Sequence, residues 1–103
     1  MAVTTQSPSG WFTATVRPVG DLGRADAVRM HDVLAALAPS ADVVVLDLEA
    51  ARLRGRRAAA VVEEAASELA SRGGALLCVH VSEADGLVLA LCAPTAVCLG
   101  PRV

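Results

Sequence analysis

Residues 42–62 read DVVVLDLEAARLRGRRAAAVV, and this stretch constrains the fold more than any other. Val43, Val44, Val45 and Leu46 form an unbroken apolar run, mostly β-branched, which is the pattern of a strand covered on both faces; it ends in Asp47. Arg52, Arg54, Arg56 and Arg57 follow in a basic loop that also holds Gly55. From about Arg57 to Arg72 the chain turns rich in alanine and valine, with charges gathered at Glu63, Glu64, Glu68 and Arg72, and this predicts a helix. The expected unit is therefore buried strand, basic loop, helix. In open α/β sheets, ligands and partners bind outside the carboxyl ends of the strands, which is where Asp47 and the arginines fall.

The remaining elements follow from periodicity and punctuation. Residues 1–10 are small and polar, with Pro8 and Gly10, and are expected to be disordered or loosely attached; residues 11–103 are expected to form one domain. Trp11–Val19 alternates, with Phe12, Ala14, Val16 and Pro18 on one side, and predicts one or two strand segments. Gly20-Asp21-Leu22-Gly23 reads as a turn. Arg24–Leu37 places Ala27, Met30, Leu34 and Leu37 on one helical face, and Pro39-Ser40 stops it. In the helix after the basic loop, Val62, Ala65, Ala66 and Leu69 are expected to face the sheet, with Glu64, Glu68 and Arg72 on a solvated face. Gly73-Gly74 suits a left-handed cap. Ala75–Val81 predicts another strand, Ser82 the N-cap of a helix over about Glu83–Leu91, and Thr95–Leu99 a short last strand that Gly100-Pro101 ends. Strands alternating with helices imply a largely parallel sheet with helices against it.

Composition excludes several classes. A net charge of −2 does not suit a nucleic-acid partner. Every apolar run stops well short of a bilayer span, and MAVTTQSPSG lacks the basic start and apolar core of a signal peptide, so the expected compartment is the cytoplasm. Lysine, isoleucine, asparagine and tyrosine are absent and all nine basic residues are arginine, a bias of G+C-rich bacterial codons. Cys78, Cys92 and Cys98 are odd in number and lie in apolar settings, so they read as small buried hydrophobes rather than a disulfide framework. Cys78 and His80 sit two apart on one strand, but without a Cys-x-x-Cys pair no metal site is expected.

No nucleophile and base pairing, phosphate-binding glycine loop or convergent carboxylate pair can be assembled, and no cofactor is implied; an enzyme is not expected. The expected role of Asp47 is to accept backbone N–H groups of the loop, with ligand contact as the alternative, and Asp21 has the same two readings. The arginines at a helix N-terminus repel one another unless an anion or a carboxylate-bearing partner is present. They either bind such a partner or form a solvated loop balanced by Asp47, Glu49 and Asp21.

Gly20-Asp21-Leu22, Asp47-Leu48, Gly73-Gly74 and the strand Ala75–Val81 stand in the order and spacing of a known family. Over roughly residues 14–91 the chain resembles the STAS domain, the fold of bacterial anti-sigma factor antagonists. The resemblance implies a mixed, largely parallel sheet of four to five strands with about three helices. In that family a cognate anti-sigma factor kinase phosphorylates a serine in the loop that opens the second helix, and phosphorylation releases the partner. Here the acidic residue before that serine falls on Gly55, the serine on Arg56, the next serine on Arg57 and the family glycine on Ala58. No hydroxyl remains between Leu46 and Glu64. The chain also ends soon after its last strand, where family members usually carry a final helix.

The resemblance thus implies a non-catalytic, protein-binding regulatory module whose partner is an anti-sigma factor or kinase-like regulator, without the phospho-switch. Its expected contact residues are Asp21, Asp47, Arg52, Arg54, Gly55, Arg56 and Arg57. The alternatives are an accessory subunit of a membrane transporter ATPase, since STAS domains also occur there, and a sensor that binds a nucleotide or other small ligand through the arginines.

Overall fold

The computed structural model describes residues 1–6 and 11–99. In chain order the elements are β1 (Ala2–Gln6), β2 (Thr13–Arg17), β3 (Gly20–Leu22), α1 (Arg24–Leu37), β4 (Val43–Asp47), β5 (Ala51–Leu53), α2 (Arg56–Ser71), β6 (Ala75–Val79), α3 (Glu83–Cys92) and β7 (Val97–Cys98). Five strands form one sheet in the order β1-β2-β4-β6-β7, with β1 antiparallel to β2 and the other neighbours parallel. The mixed sheet and three helices agree with the expected class.

Strand order decides where the helices go. From β2 through β4 and β6 to β7 the chain steps always toward the same edge, and each crossover between parallel strands is right-handed, which puts every connecting helix on one side of the sheet. The helices make a single layer: α1 packs on α2, and α2 on α3. Under that layer Val16, Val44 and Leu46, and Leu76 and Cys78 share one buried core with Met30, Leu34, Val62 and Leu69. Among the described residues the other face carries no helix. Val43 and Val45, with Leu77 and Val79 beside them, are only half-buried there. The apolar run of β4 is thus covered on one face, not both, because the one-way strand order supplies a single helical layer.

Three further expectations change. Residues 2–6 are not a loose leader but the edge strand β1, paired from Ala2 with Arg17 to Gln6 with Thr13; residues 7–10 lie outside the described residues. The presumed turn at Gly20 is the short strand β3, and the basic loop contains β5; the two pair in parallel, Asp21 beside Arg52 and Leu22 beside Leu53. Leu22, Ala51 and Leu53 are buried, so the ribbon is held by its inward residues while the charged ones point out. The predicted strand over Ala75–Val81 ends at Val79, and the end of β7 at Gly100-Pro101 falls outside the described residues.

Two glycines are dictated by geometry at the junction of α2 and β6. Gly73 adopts φ +83°, the left-handed conformation that closes the helix. At Gly74 a Cβ would run into the carbonyl oxygen of Asp42, which accepts the Ala75 N–H at 3.1 Å. Asp42 also receives the Phe12 N–H on its side chain at 2.7 Å, tying the starts of β2, β4 and β6 together.

Candidate functional site

The basic segment is built as a rigid ledge. β5 lies on β3, Arg54 N–H donates to the Leu22 carbonyl at 3.0 Å, and Gly20 N–H donates to the Ala50 carbonyl at 2.9 Å. From below, the buried carboxylate of Asp85 on α3 accepts the Leu53 N–H at 3.2 Å. Asp85 itself is fixed because its backbone N–H donates to the Ser82 side chain at the helix N-cap. Gly55 then turns the chain into α2 at φ +101° and ψ −173°, a region open essentially to glycine, and Arg56 is the first residue of the helix.

The ledge presents its arginines to solvent. Arg54 pairs with Asp21 across β3 and β5 at 3.1 Å, and Arg52 donates to the Ala51 carbonyl. Arg56 and Arg57 are exposed and have no acidic partner among the described residues. The expected balancing of the loop by Asp47 and Glu49 is not what occurs. Those two carboxylates turn toward the sheet, where Glu49 takes Arg17 at 2.7 Å and Asp47 takes the Nδ1 of His80 at 3.0 Å. Beside Arg57, a shallow groove of about 330 Å³ runs between α1 and α2, lined by Arg24, Val28, His31, Arg57, Ala60 and Val61. Val28 is exposed on its floor.

Asp47 serves its own loop, accepting the Glu49 N–H at 3.0 Å. Partial burial opposes its charge, but the Glu49 N–H, His80 and Arg17 outweigh that penalty and hold the carboxyl below its ordinary value. Arg17, Asp47, Glu49 and His80 thus form one network at the carboxyl ends of β2, β4 and β6, away from the loop arginines. His80 stands just past β6 with φ +54°, so it does not continue the alternation of that strand. Among the described residues no group of three or more metal-ligating side chains converges. Of the three cysteines only Cys78 is buried; Cys92 is half-buried and Cys98, on the edge strand β7, is exposed.

Sequence reasoning missed Asp85, His80 and Glu63 as positioning groups. Glu63, on α2, receives both the N–H and the hydroxyl of Thr95, at 2.8 and 2.6 Å, and so fixes the approach to β7. The Thr95 hydroxyl holds its pKa below the ordinary value, against a smaller desolvation penalty. No local pattern distinguishes these acids from surface ones.

No family model and no curated protein matches the sequence. Solved structures do. The anti-sigma factor antagonist SpoIIAA in its unphosphorylated form superposes with a TM-score of 0.74 at 12% identity, covering 98% of this chain and 90% of that one. The phosphorylated form of the same Bacillus cell-fate determinant gives 0.73 at 12% identity, over 98% and 92%. An anti-sigma-factor antagonist STAS domain from Rhodobacter sphaeroides gives 0.53 at 20% identity, over 93% and 95%. The fold is the STAS fold. Within a STAS frame the ledge from Ala51 to Arg57 is the segment that opens the second helix, and Arg56 begins that helix. No helix among the described residues is long and apolar enough to cross a membrane.

Proposed function

We propose that this STAS domain is a non-catalytic, protein-binding regulatory module of the anti-sigma factor antagonist kind, acting through Asp21, Asp47, Arg52, Arg54, Gly55, Arg56 and Arg57 without a phosphorylation switch. One observation carries the reading. Arg56 occupies the first position of α2, where the family's acceptor serine would stand, and neither it nor Arg57 has an acidic partner among the described residues. Fixed positive charge at a helix N-terminus adds to the helix's own partial charge, so the favourable occupant is a partner's carboxylate. Arg52 and Arg54 contribute as contacts on the same ledge, while Asp21 holds Arg54 and Asp47 shapes the turn that leads into it.

The groove beside Arg57 refines the partner's chemistry. Its floor is apolar at Val28, Ala60 and Val61 and its rim carries Arg24 and Arg57, which suits an acidic segment that inserts one aliphatic side chain. Such a partner fits a sigma-factor regulatory circuit in a bacterial cytoplasm. Pull-down from the native host with the wild-type chain and with Arg56→Glu tests this. Wild type is expected to capture a protein partner that the variant loses; equal capture by both would remove the arginine ledge from the interface.

A further inference from the structure

Cys78 and Cys98 are direct neighbours across parallel strands β6 and β7. Paired Cα atoms of adjacent strands lie about 5 Å apart, inside the span of about 4.4–6.8 Å that a disulfide bridges. Side chains at paired positions project from the same face of the sheet, so the two thiols share one side of it. Cys78 is fully buried in the core, Cys98 is exposed at the edge, and the Leu99 N–H donates to the Cys78 carbonyl at 2.8 Å, holding the strands in that register. Neither cysteine belongs to the arginine ledge or to the network around His80.

We propose that Cys78 and Cys98 are a peroxide-sensitive thiol pair that forms an intramolecular disulfide and staples edge strand β7 to the sheet. Hydrogen peroxide reaches the exposed Cys98 first. The Cys98 sulfur takes one peroxide oxygen and becomes a sulfenic acid, with the other oxygen leaving as water once protonated. The Cys78 sulfur then attacks that sulfur, the S–O bond breaks, and the hydroxyl leaves with the Cys78 proton as a second water. The two thiols lose two electrons and two hydrogens in all, and the peroxide gains them. Burial pushes the Cys78 thiol up, with Cys98 alongside adding to the effect, so Cys78 acts as the resolving partner and not as the group that meets the oxidant. The closed loop contains all of α3, including Asp85, which supports β5.

Intact mass and peptide mapping of the whole chain after mild peroxide treatment test the proposal. A loss of about 2 Da with a Cys78–Cys98 link is expected, together with slower exchange of the Leu99 amide. Cys92→Ser is expected to keep the link and Cys98→Ser to lose it. A link through Cys92, a disulfide-joined dimer, or addition of oxygen at Cys98 with no loss of hydrogen would each overturn it.

Discussion

The carboxylate of Asp85 on α3 accepts the backbone N–H of Leu53 on β5 at 3.2 Å, so a buried acid in one helix supports the strand that carries the arginines. Asp85 is 3% exposed, and its second oxygen has no partner among the described residues. The energetic weight of the bond lies in the donor it satisfies, since a buried N–H left alone loses its hydration without replacement. Asp85→Ala is expected to lower stability by about 1–3 kcal/mol in urea unfolding, and Asp85→Asn, which keeps an acceptor oxygen, to recover most of that. Equal stability of the alanine variant and wild type would show that β5 does not depend on α3.

Gly55 should be intolerant for conformational reasons alone. A Cβ there would meet nothing within 4 Å, yet the residue sits at φ +101°. Gly55→Ala is therefore expected to cost about 1–3 kcal/mol through backbone strain, with no steric clash to relieve. The same measurement on Gly23→Ala serves as the control, because Gly23 is extended at φ −91° and also has open space. Similar losses at both positions would contradict the assignment.

Much of this architecture was legible in the chain, and what was not has physical reasons. Arg24–Leu37 was readable to the residue because fourteen positions of helical periodicity leave little choice. The ribbon of β3 and β5 was not, since three residues such as Gly-Asp-Leu or Ala-Arg-Leu are too few to display a period of two, and their pairing is with each other at long range. β1 escaped because Ala2–Gln6 is exposed throughout and gains its order only from the edge of β2. The arginines announced the candidate site, but local sequence does not say which acid goes to which base. Asp47 and Glu49 precede the loop arginines yet turn to Arg17 and His80, which the parallel sheet brings to them.

The one-sided sheet makes Val44 and Val45 respond differently. Val44 is 1% exposed under the helices, whereas Val45 faces the open side. Val44→Thr buries a hydroxyl without a ready partner and is expected to cost about 1–3 kcal/mol. Val45→Thr, whose hydroxyl meets water, should cost less than about 1 kcal/mol. Matching penalties in chemical denaturation would mean that the second face is covered after all.

Acid unfolding should register Asp47. Its folded pKa lies below the ordinary 3.8, so the stability its charge contributes is complete above that value and is lost as pH falls through the lower folded one. Asp47→Asn is expected to flatten this part of the curve of stability against pH. An unchanged slope would show that Asp47 is not held by Glu49, His80 and Arg17.

Native mass spectrometry of the chain mixed with candidate anti-sigma factor kinases and ATP tests the central claim most directly. The account predicts a persistent complex and no phosphate on residues 47–63, where no serine or threonine stands. A gain of about 80 Da mapped to that segment, with release of the partner, would contradict it.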